Sequence, residues 1–117
     1  AVPTLTRLER HFAFKRGATP SLTVRDVVEF TQPDSFETAL VTWGNWKQIS
    51  ETELLFTENA DAVRVKIDTG GIPFELKASQ LTADAATPRK ATRIGLRLKE
   101  PVTKASVVLT ITPELKQ

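Results

Sequence analysis

The 117-residue sequence has no cysteine, no methionine and no tyrosine, and only one histidine. Without cysteine there is no disulfide, no thiolate nucleophile and none of the usual zinc frameworks, while the compartment is left open. The single imidazole, His11, makes neither a metal-ligand set nor, among scattered serines, a Ser-His-Asp order, so it is expected on a solvated surface. No apolar run approaches the roughly 20 residues of a bilayer span, and the opening AVPTLTRLER lacks a signal-peptide core. The chain is therefore expected to be a mature protein or a piece of a larger one. Glycine is scarce too, and the Gly-Gly at 70 and 71 is a turn signal without the following Lys-Ser/Thr of a phosphate loop. Nor is there an excess of one charge: 16 basic residues against 14 acidic leave +2. They alternate along the chain instead of gathering into the positive footprint of a nucleic-acid binder, so no nucleic-acid partner and no cofactor is expected.

What is present is period-2 alternation from end to end, in a chain of ordinary globular composition and single-domain length. It predicts strands over Thr4 to Lys15, Ser21 to Phe30, Ser35 to Thr42, Glu53 to Thr57, Ala62 to Asp68, Phe74 to Ser79, Arg93 to Leu98 and Ser106 to Thr112. RGATP at 16 to 20, QPD at 32 to 34, TGGIP at 69 to 73 and EP at 100 to 101 read as turns, and TADAATPRKA at 82 to 91 as an exposed loop. VRDVVEFTQ also suits a helical period, but its β-branched and aromatic residues favour strand. The fold expected is all-β, an antiparallel sandwich of about eight to ten strands with no substantial helix.

Two registers can be derived. If the first two strands form a hairpin about residue 18, Phe14 faces Leu22, Phe12 faces Val24 and Leu8 faces Val28, all on one side. A slip by one residue would set apolar against polar faces. In that same row Arg10 falls opposite Asp26, which predicts a partly covered ion pair, with a second pair, Arg7 and Glu29, on the opposite face. These pairs read as structural. The last two strands also suit a hairpin, with Ile94, Leu96 and Leu98 opposite Ile111, Leu109 and Val107, and a basic outer row of Arg93, Gly95 and Arg97.

Catalytic groups are sparse. Glu51, Glu53 and Glu58 could supply a glycosidase pair only if a cleft held two of them at a definite separation; a charged strand border is the expected reading. Both tryptophans lie in TWGNW, 42 to 46. Alternation from Phe36 and Leu40 puts Thr42 inward and Trp43 outward, and Gly44-Asn45 resets the phase before Trp46. Trp46 is expected as a core anchor, and Trp43 as the one candidate for stacking on a sugar or partner.

RHFAFKRGATPSLTVRDVVEF at 10 to 30 and ATRIGLRLKEPVTKASVVLTITPEL at 91 to 115 resemble the C-terminal β-sheet domain of the heparinase II/III-like polysaccharide lyases, over about two-fifths of the chain. Such enzymes join a helical toroid to an antiparallel sandwich and cleave acidic polysaccharides by β-elimination. That chemistry needs a cation or amide for the uronate carboxylate, a base, and an acid, commonly Tyr and His. With no tyrosine here, and His11 outside any matching motif, no catalytic residue carries over. The resemblance implies a noncatalytic C-terminal accessory domain of a periplasmic or secreted lyase, packed on its catalytic domains, with acidic polysaccharide as the parent's substrate. A stand-alone carbohydrate-binding module and an immunoglobulin-like interaction domain are the alternative readings.

Overall fold

The alternating residues are laid down as nine antiparallel strands in a computed structural model that describes residues 4–42, 44–58, 61–81 and 91–114. They are β1 (Leu5–Lys15), β2 (Ser21–Asp34), β3 (Glu37–Thr42), β4 (Asn45–Ser50), β5 (Glu53–Glu58), β6 (Asp61–Asp68), β7 (Phe74–Leu81), β8 (Ala91–Leu98) and β9 (Val102–Pro113). Six form one sheet in the order β1-β2-β9-β6-β5-β4 and three form another, β3-β8-β7. Among the described residues there is no helix, and so none long and apolar enough to cross a membrane.

The two sheets enclose one core. Val24 and Val28 of β2, Leu54 of β5, Val65 and Ile67 of β6, and Val107 and Leu109 of β9 meet Ile94, Leu96 and Leu98 of β8. The alternation of buried and exposed positions along β2 and β9 is the sequence alternation itself, since successive side chains of a strand point to opposite faces.

Strands β1 and β2 pair in the register that the apolar row requires, with Leu8, Arg10, Phe12 and Phe14 opposite Val28, Asp26, Val24 and Leu22. The hairpin expected of the last two strands does not form. β8 pairs with β3 and β7, whereas β9 pairs with β2 and β6, so their apolar rows face one another across the core instead of lying side by side. The reason is economy of core surface: two rows this apolar bury most area as the central strands of opposing sheets, where each has neighbours on both edges and a facing layer. Arg93 and Arg97 do point outward, but opposite Val41 and Glu37 of β3, and Gly95 is buried beneath the side chains of Arg93 and Glu37.

Other differences follow from bulges. β2 runs on through Gln32 and Pro33 to Asp34, with a register shift against β9, so QPD is not a turn. β4 escapes the alternation test because its register against β5 shifts between Gln48 and Ser50, which leaves Trp46 and Ile49 an odd three residues apart. Of the expected loop at 82 to 91, residues 82–90 lie outside the described residues, and Ala91 is a buried member of β8.

Gly44 is where the chain passes from β3 in the small sheet to β4 in the large one. A Cβ there would overlap the main-chain carbonyl oxygen of Thr57 on β5, and backbone cannot swing aside as a side chain can. Gly44→Ala is expected to cost about 1–3 kcal/mol as an overpacking defect. An unchanged urea midpoint in this variant would show that β4 and β5 do not approach so closely.

Candidate functional site

A six-stranded sheet beneath a three-stranded one cannot be covered throughout. Thr38 of β3 reaches Asp26 of β2, so the small sheet's edge stands over β2 and leaves β1 projecting beyond it. The inner row of β1 is consequently an apolar ledge: Leu8, Phe12 and Phe14 are 60%, 66% and 63% exposed although they face the core side of their sheet. Three large apolar side chains in one four-residue row of a strand face are a patch rather than the scattered exposure normal for a surface.

The fourth member of the row is Arg10. Its Nε donates to Asp26 Oδ1 at 2.6 Å and its Nη2 to Asp26 Oδ2 at 3.0 Å, a two-point clamp on the carboxylate. Thr38 Oγ1 donates to Asp26 Oδ2 at 2.7 Å and accepts from Arg10 Nη2 at 3.1 Å. Three strands from two sheets are thus tied at one carboxylate. Asp26 is only 4% exposed, and burial by itself would push its pKa up. Hydrogen bonds from Arg10 and Thr38, with the guanidinium charge, outweigh that cost and hold it below the ordinary aspartate value. The hydrogen bond to Asp26 likewise raises Arg10. Around the clamp a cleft of about 250 Å³ is lined by Leu8, Arg10, Asp26, Phe36, Glu37 and Thr38.

On the opposite face Arg7 Nη1 lies 3.0 Å from Glu29 Oε2, and Arg7 also meets Glu9. Glu9 is held below the ordinary glutamate range chiefly by its hydrogen bond from Arg7. His11 shares this face, exposed, with Nε2 3.3 Å from Glu9 Oε1. Such exposed pairs add little stability.

The carboxylates named in the sequence do not come together. Glu53 and Glu58 begin and end β5, roughly 17 Å apart at the rise of an extended chain. Glu53 lies 3.4 Å from Arg64, while Glu51 lines an open cleft with Asp68, Glu75 and Lys99. Among the described residues no group of three or more His, Asp or Glu could hold a metal. Trp46 packs half-buried against the core opposite Phe56; Trp43 lies outside the described residues.

Thr38 is the member of the site that sequence reasoning passed over. Its signal was present: a polar residue between Phe36 and Leu40 in the inner phase, matching the polar Arg10 and Asp26 in the inner rows of β1 and β2. No protein-family model and no curated protein matches this chain.

Proposed function

We propose that this sandwich is a noncatalytic accessory domain that docks through the β1 ledge onto the rest of a larger protein. The parent would be a polysaccharide lyase of the heparinase II/III-like kind, acting on acidic polysaccharide by β-elimination at residues outside this chain. The observation that carries the docking part is the uncovered row of Leu8, Phe12 and Phe14, which belongs to the core face by register yet meets solvent. Every buried side-chain nitrogen or oxygen among the described residues has its partner, as a well-packed interior requires. The lyase part rests on the resemblance of residues 10 to 30 and 91 to 115, and with it a periplasmic or secreted location.

Calorimetric titration of the domain with heparin, alginate and neutral glycans tests this reading. No heat is expected with any of them. Saturable heat that disappears in Trp43→Ala would replace docking with sugar binding as the domain's own activity.

A further inference from the structure

We infer that the open edge of β3 accepts one extended strand from a partner polypeptide, whose inward side chains cover the ledge of β1. This deepens the docking reading above by naming how the partner is held.

The main chain of β3 supplies the first half of the site. Leu98 N donates to Phe36 O at 3.0 Å, and the register continues with Thr38 opposite Leu96, Leu40 opposite Ile94 and Thr42 opposite Thr92. In an antiparallel ladder alternate residues exchange both bonds with the partner strand. Thr38, Leu40 and Thr42 therefore spend their N–H and C=O groups on β8, as Phe36 spends its C=O, and Glu37, Ala39 and Val41 direct theirs to the side away from it. β3 is the edge of its sheet, and no other main-chain bond to these three is formed among the described residues.

The ledge supplies the second half. With Thr38 bonded to Asp26, β3 stands over β2, and the next strand position in the small sheet, about 4.8 Å further on and about 10 Å above, lies over β1. A strand added there completes the upper layer and places its inward residues on Leu8, Arg10, Phe12 and Phe14. The cleft between Leu8 and Phe36 is the start of this berth.

A second copy of the chain does not fit it. Pairing β3 with β3 about a two-fold axis would bring the partner's β2 into the place already filled by β1. Pairing β1 with β1 would extend the large sheet and leave both ledges open above. A single extended segment meets neither obstacle, which is the mode of strand addition to a sheet edge.

The ledge also states what that segment should carry. Its row reads apolar, cationic, apolar, apolar at every second residue. Arg10 uses Nε and Nη2 on Asp26 and Thr38, while Nη1 makes no hydrogen bond among the described residues and the side chain is 48% exposed. The incoming strand is therefore alternating, with apolar inward residues and an acidic one in register with Arg10.

The test uses labelled ten-residue peptides whose inward positions are Val, Asp, Val and Val separated by threonines, read by anisotropy and by amide exchange in the intact chain. Binding is expected to protect the amides of Glu37, Ala39 and Val41. Ala39→Pro removes one of those donors without touching the β8 ladder, and N-methylation of the peptide's pairing edge removes the complementary groups. Each is expected to weaken binding at least about tenfold, as are Phe12→Ser and a Lys in place of the peptide's Asp. The inference is overturned by no binding across the panel, by binding indifferent to the N-methylated peptide, or by protection that falls on β1 instead. Those results, with silent glycan titrations, would leave face-to-face docking of the ledge standing; glycan heat would remove the docking reading itself.

Discussion

Arg10→Met is expected to destabilise the sandwich by about 3 kcal/mol near neutral pH, at the lower end of the range for stranding a buried charge. Asp26→Asn should cost only about 1 kcal/mol. The asymmetry comes from burial: Asp26 is 4% exposed, whereas the Arg10 side chain, 48% exposed, turns to water when its partner is lost. Removing the guanidinium also changes the direction in which Asp26 titrates. Its burial is the largest single influence, and larger than the Thr38 hydrogen bond that would remain, so without Arg10 the folded-state pKa moves above the ordinary value of 3.8.

The two proteins should then respond oppositely to pH. In the parent chain the depressed carboxylate contributes stability that is present above the unfolded value and is lost as pH falls through the folded one. In Arg10→Met the raised carboxyl contributes stability that is fully present below the unfolded value and is lost as pH rises through the folded one. Other depressed carboxylates, Asp34 and Glu114 among them, titrate alike in both proteins and cancel in the difference. The penalty of Arg10→Met should therefore be smaller at pH values below the ordinary aspartate value of 3.8 than near neutral pH in urea denaturation series. A penalty independent of pH would mean that Asp26 is solvated and that the three-strand clamp does not exist in solution.

The clamp shows what alternation conveys and what it leaves out. Parity fixed the register of β1 on β2, because a one-residue slip would have turned every apolar residue to the wrong face, and Arg10 followed opposite Asp26 from that alone. Parity says nothing about which strands share a sheet. Ile94 to Leu98 and Val107 to Ile111 suit a hairpin and a face-to-face packing equally well, and only competition for core neighbours separates the two. Nor does it say where a facing sheet ends. Phe12 and Phe14 look like core in the sequence, and they are core-facing; their exposure arises in the other sheet, from the shortness of the upper layer. Where the period itself breaks, as at the Gln48 bulge of β4, a strand goes unseen altogether.

That ambiguity between core and ledge yields the other large expected effect. Leu54→Ala should cost about 2–5 kcal/mol, since Leu54 is fully buried and the removed atoms leave a cavity that the surrounding strands fill only in part. Phe12→Thr and Phe14→Thr delete more apolar surface but should each change stability by no more than about 0.5 kcal/mol, because most of that surface is already in water and threonine keeps the β-branched preference for a strand. The same pair of changes should raise the solubility of the isolated domain, by removing the exposed patch through which such surfaces self-associate. In the presence of whatever covers the ledge the ranking should reverse in kind: Leu54→Ala would weaken the fold and leave the docking face intact, whereas Phe12→Thr would leave the fold intact and weaken docking. Urea midpoints for the three variants suffice to check the first half. A loss of more than about 2 kcal/mol in Phe12→Thr, the size of a buried apolar side chain, would place that ring in the core and withdraw the ledge as a docking surface.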